Sequence, residues 1–239
     1  MSAPNITRWI GIGLLSLPLY GALTFFSALN PQPDYNAHPE AWARYVTTNH
    51  YVLEHLFLSI FGLIFGILGV FALGTYLATS RAGRMGLVAM VITVVGSGLF
   101  LSILGVSAFA VPEQGQAYLA GMDTDELPDS FADTVQALAG LGYILLGFVG
   151  NILLGVAIWR SGTLPRWAGA LWAAAHVLMY VSQGYAATVG AKSTPPTVLV
   201  GAVLVALSGA WMAWSVLRRP SAVLQEAIGA TAAAQPRVR

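Results

Sequence analysis

The chain has 239 residues, 56% of them hydrophobic and only 9% charged, with a mean hydropathy of +0.70. A soluble domain carries about 25% charged residues to wet its surface, so lipid is the solvent this composition fits. There is no cysteine, which excludes disulfides, thiolate catalysis and Cys-based zinc or iron–sulfur sites.

A helix needs roughly 20 mostly apolar residues to cross about 30 Å of hydrocarbon. Six stretches qualify, at about 8–29, 51–77, 85–111, 135–159, 167–190 and 197–217. The expectation is an all-α, polytopic membrane protein whose six transmembrane helices form one domain over 1–219. A tail over 220–239 follows, disordered apart from a weak surface helix at 221–228. The first stretch is longer than the apolar core of a signal peptide, and Ser27-Ala28-Leu29 is a poor cleavage site, so it reads as an uncleaved span.

The first loop opens with Asn30-Pro31-Gln32-Pro33-Asp34, an extended or turned stretch. Pro39 to Tyr45 then reads as a short interfacial helix, with Pro in its first turn and Trp42 and Tyr45 suited to the headgroup zone. The second span begins His50-Tyr51-Val52-Leu53-Glu54-His55. At about 100° per residue it aligns Tyr51, His55, Ser59, Gly62, Gly66 and Gly69, which points His55 at neighbouring helices and leaves Glu54 on a flank. His50 and Glu54 are one turn apart and could share an ion. The run nevertheless matches neither His-Glu-x-x-His nor His-x-x-Glu-His, and a third ligand would have to come from His38 or an outer-loop acid. No metal site is therefore assigned.

Glu54 is the only carboxylate expected within a span. Ionising an acid in hydrocarbon costs at least a few kcal/mol, so it suits a proton carrier or general acid. The alternative is a carboxylate, only four residues from His50, that is wet or paired to a histidine.

The third span aligns Gly98, Ser102, Gly105 and Phe109, and the loop at 112–134 follows. That loop holds Glu113, Asp123, Asp125, Glu126, Asp129 and Asp133 and no Lys or Arg. Its Asp-x-Asp-Glu offers hard oxygens to Ca²⁺ but lacks the Gly turn and twelfth-position Glu of an EF-hand, which favours a solvated acidic loop. The fourth span aligns Gly140, Gly147, Asn151 and Gly155; the fifth aligns Gly169, Trp172, His176, Tyr180 and Gln183. Membrane helices pack through small residues and occasional polar contacts, so these stripes are expected to face the bundle. A faint repeat runs through the hairpins: Gly69, Gly74 and Ser80 recur as Gly150, Gly155 and Ser161, offset by 81.

Nine of the eleven Lys and Arg fall on the amino-terminal tail, the 78–84 and 160–166 loops and the carboxy-terminal tail, leaving Arg44 and Lys192 on the other side. The positive-inside rule then places both termini in the cytoplasm, and the expected location is the plasma membrane. With helical rise as the ruler, Tyr51, Glu54, His55, Tyr180 and Gln183 form an outer polar layer, and Asn151 and His176 an inner one. His55 and His176 differ by about 10 Å in depth, too far apart to hold one haem, so no cofactor is expected.

Basic residues sit only at membrane edges, which gives nucleic-acid binding no support. Three functions remain. The first is a small transporter or lipophilic-ligand carrier with an outward polar cavity, where Tyr51, His55, Asn151, His176 and Gln183 would bind the ligand. The second is an intramembrane enzyme on a lipid or isoprenoid-like substrate, with Glu54 as acid and His55 or Tyr180 as partner. The third is an accessory subunit packing its glycine faces against other membrane subunits. The second and fifth spans are expected to meet near the outer side, joining Tyr51 and His55 to Tyr180 and Gln183.

Overall fold

The computed structural model describes residues 3–30, 32–122, 129–189 and 194–218, and among them every regular element is helical. The tail, the Asp123-x-Asp125-Glu126 run with its calcium reading, and Lys192 lie outside the described residues.

The first span is broken in two. Helix α1 (Ala3–Leu14) gives way at Leu15 to α2 (Ser16–Ser27). Pro18 supplies the reason: it lacks the N–H that the Leu14 carbonyl would receive four residues back, and its ring crowds that carbonyl. The expected helix in the first loop forms as α3 (Pro39–Val46), with Thr48 capping the next helix by accepting the Tyr51 N–H at 3.2 Å. Segments Asn49–Glu54, His55–Ile60 and Phe61–Ala78 run on as α4. Gly83–Gly105, Val106–Ala110 and Val111–Leu119 form α5, and Asp129–Tyr143, Ile144–Gly150 and Asn151–Ser161 form α6. Helices α7 (Arg166–Thr188) and α8 (Pro196–Leu217) complete the described chain.

Among the described residues, five helices are long and apolar enough to cross a membrane: α1–α2 from Ile6, α4, α5, α6 from Asp133, and α8. Helix α7 has the length, 23 residues, but His176, Ser182 and Gln183 dilute its apolar character. The expected six apolar spans are thus met in five. Helix α5 has 37 residues, about 55 Å at 1.5 Å per residue, and continues well past its expected end near 111. Glu113 therefore sits on a helix rather than in a loop. The final turns of α5 pack against α3, where a Cβ on Gly115 would meet Val46 at 2.6 Å; Ala43 and Val46 are buried there.

Short connections make sequential helices neighbours, and the order closes on itself. Helix α2 packs on α4, α4 on α5, α5 on α6, α6 on α7, α7 on α8, and α8 back on α1 and α2. Close approaches use glycine: a Cβ on Gly169 would stand 2.5 Å from the Gly155 carbonyl oxygen, and one on Gly21 2.5 Å from the Ala206 nitrogen. One half of the ring is filled by Leu14, Leu17, Leu73, Leu77, Leu154, Ile158, Trp172 and Met212. At that end the Arg81 guanidinium rests on Gly162, so the loops after α4 and α6 share one side.

Among the described residues, three helices contain a widened π-type turn: His55–Ile60 in α4, Val106–Ala110 in α5 and Ile144–Gly150 in α6. Each carries one extra residue, so side chains on its two sides are out of phase by about 100° relative to an unbroken helix. This corrects the second span, where Glu54 is buried at 8% exposure and His55 is only half-buried. It also corrects the fourth, where Gly140 is exposed and open while Gly142 packs on α5. In the third span Gly98 and Gly105 likewise have open space beside them and Phe109 is exposed. The buried line of α5 is Gly86, Ala89, Thr93, Gly96 and Ser97.

Candidate functional site

The residues expected to form one outer site fall into two clusters. Because α4 and α7 are the second and fifth members of a six-member ring, they lie opposite each other and do not pack together. They face one another across a central cavity.

The cavity has a volume of about 250 Å³. All six members of the ring contribute to its wall, including Ser59 and Leu63 from α4, Phe100 from α5, Tyr143 from α6, and Tyr180 and Gln183 from α7. Helix α2 adds Tyr20 and Thr24, and Thr194 with Val198 closes the wall at the start of α8. Helix α7 delivers its part because it has no π turn: Trp172, His176 and Tyr180 stay on one buried face, and Gln183 continues that face into the opening. The Tyr180 ring is seated where Gly147 has no side chain. Its hydroxyl interacts with that of Tyr20, and its backbone carbonyl accepts the Tyr143 hydroxyl. Ser27 and Ser59 bond to each other at 2.9 Å across the α2–α4 seam.

The fully buried polar layer next to the cavity joins α6 to α7. Asn151 donates from Nδ2 to the Leu146 carbonyl at 2.9 Å, inside the π turn, and its Oδ1 accepts the Trp172 indole N–H at 3.1 Å. His176 bonds through Nδ1 to the Trp172 carbonyl at 2.8 Å, which makes Nδ1 the protonated nitrogen and Nε2 an acceptor. Nε2 has no hydrogen-bond partner among the described residues, and the ring is wholly buried between Trp172 and the stacked Tyr180.

The second cluster lies at the start of α4, away from the cavity lining. Glu54 accepts the Asn30 amide N–H on Oε1, and Oε2 faces His50 Nε2 at 3.6 Å. His50 is 73% exposed, so this pair borders water. His55 bonds through Nδ1 to the Tyr51 carbonyl at 3.0 Å, lies against the Tyr51 ring, and meets Gln32 Nε2 at 3.4 Å. The Tyr51 hydroxyl donates to the Ser107 carbonyl at 3.0 Å, and Tyr45 packs edge-on against Tyr51. Burial, and then the nearby Glu54 carboxylate, hold the Tyr45 hydroxyl above its ordinary range. Among the described residues no group of three His, Asp or Glu side chains is placed to hold a metal.

Of the expected site residues, Tyr180 and Gln183 line the cavity, Asn151 and His176 belong to the buried layer, and Tyr51, Glu54 and His55 form the separate cluster. Tyr20, Thr24, Tyr143 and Thr194 escaped the sequence reading. Tyr20 was legible in principle, as a polar aromatic within an apolar span. Comparison with protein-family models, curated proteins and solved structures finds no match for this chain.

Proposed function

We propose that this is a six-span membrane protein, with both termini in the cytoplasm, whose cavity takes up a small lipophilic molecule from the outer side. The carrying observation is the cavity itself: six helices converge on it, and its wall mixes aromatic and aliphatic surface with hydroxyls and one amide, the make-up of ligand sites in general. The orientation rests on the charge asymmetry and on the basic–aromatic pairs at the loop-sharing end. There Arg166 lies near the rings of Trp159 and Trp167, and Arg218 stacks on Trp214 at 3.6 Å. Helix α7 is the sixth span because it sits between α6 and α8 in the ring, which shelters its polar face from lipid.

The binding reading is favoured over the enzyme reading because Glu54 and His55 do not line the cavity. Among the described residues, tyrosine is the only titratable side chain that does. The test uses the absence of native cysteine: Gln183→Cys and Ser59→Cys are exposed to a membrane-impermeant maleimide in intact cells. Labelling at both supports an outward cavity. Labelling only after the inner face is exposed overturns it.

A further inference from the structure

We infer that the ligand of this cavity is an uncharged amphiphile with a hydroxyl or carbonyl head, and that the Gln183 amide is the group that reads the head. This rests on the cavity being a ligand site, as proposed above.

The polar groups of the wall are largely committed to one another. Ser27 and Ser59 bond together, Tyr20 engages both Thr24 and Tyr180, and Tyr143 donates to the Tyr180 carbonyl. Gln183 is different. Its side chain is exposed in the lining and has no hydrogen-bond partner among the described residues, and an amide offers both donors and an acceptor. An alcohol satisfies it in both directions, and a carbonyl accepts from its NH₂. Among the described residues the lining contains no Asp, Glu, Lys, Arg or His, so these residues offer a carboxylate, phosphate or ammonium no counter-charge. The remaining wall, with Leu58, Leu63, Phe100, Leu104, Met179 and Val198, suits an apolar body. An open cavity of about 250 Å³ seats the head and the adjoining part of an apolar body.

The experiment uses the full chain in nanodiscs with three photoreactive probes of equal alkyl length, carrying a diazirine on the chain and an alcohol, a carboxylate or a trimethylammonium head. Labelled sites are mapped by mass spectrometry. The expected result is labelling of the Met179–Gln183 stretch by the alcohol probe alone. Gln183→Leu should weaken that labelling about five- to tenfold, as for loss of one hydrogen bond to the head, while Val181→Leu on the lipid side leaves it unchanged. Competition by dioctanoylglycerol identifies a bilayer lipid as the natural source, and competition by decanol alone a free alcohol; either supports the inference. Equal labelling by all three heads, or indifference to Gln183→Leu, overturns the inference but keeps the cavity as a site. Labelling of the cavity by no probe overturns both.

Discussion

The Tyr51 hydroxyl bonds a backbone carbonyl, that of Ser107, which Pro112 leaves without an amide partner. In the π turn of α5 the Val111 N–H bonds to the Val106 carbonyl, so it is lost to Ser107. The next amide in line would be that of residue 112, and proline has none. Tyr51 reaches across from α4 and donates to the Ser107 oxygen at 3.0 Å, which satisfies a carbonyl that hydrocarbon would leave bare.

Tyr51→Phe should therefore destabilise the protein by about 1–2 kcal/mol, the cost of an unpaired buried carbonyl. Pro112→Ala restores an amide able to bond Ser107. In that background Tyr51→Phe should cost less, giving a coupling of about 0.5–1 kcal/mol in a double-mutant cycle. Unfolding in mixed micelles measures both, and strict additivity would show that the hydroxyl and the proline do not share this carbonyl.

Asn151 ties the π turn of α6 to α7 through Leu146 and Trp172. Asn151→Leu strands the indole N–H as well as part of the turn, so a loss of about 1–3 kcal/mol is expected. Trp172→Phe removes only the donor and leaves Asn151 its Leu146 bond. The double variant should cost less than the sum of the two. A sum equal to the parts would mean that the pair does not interact in the membrane.

The same π turns explain how far the sequence could be read. Helix α7 has none, and the stripe Gly169, Trp172, His176, Tyr180, Gln183 survives whole, from the buried layer into the cavity. In α4 and α6 the period slips, so that Glu54 rather than His55 is the buried side chain of its pair, and Gly142 rather than Gly140 makes the contact. Helix α5 fails for another reason: it carries small and polar residues on two faces, and composition cannot tell the line of Gly98 and Ser102 from that of Thr93 and Gly96. The pairing of the second and fifth spans failed because depth along the membrane is legible in a sequence, whereas order around a ring is not.

The proposed orientation has a direct test at two exposed sites, Arg160 beside the loop-sharing end and Gln116 on the extension of α5. Impermeant maleimide in intact cells should label Gln116→Cys and spare Arg160→Cys until the membrane is permeabilised. The reverse pattern would invert the protein in the bilayer. Ser161, in contrast, is buried and its hydroxyl accepts the Thr163 and Leu164 N–H groups at 3.2 Å, so a probe placed there would report packing rather than sidedness.

Glu54 decides between binding and catalysis. Its carboxylate is held by Asn30 and faces His50 at the water boundary. A pair with one partner so exposed is worth at most about 1 kcal/mol. Glu54→Gln keeps an oxygen for Asn30 to bond, so stability should change by less than about 1 kcal/mol, and the alcohol probe should still label the cavity as in the parent. Glu54→Ala empties a buried position and leaves the Asn30 amide to water, and its larger loss of stability should come without loss of labelling in the molecules that remain folded. If Glu54→Gln folds normally yet no longer takes the probe, the carboxylate acts on the ligand after all. The second cluster would then be the chemical site of an intramembrane enzyme and the cavity its antechamber.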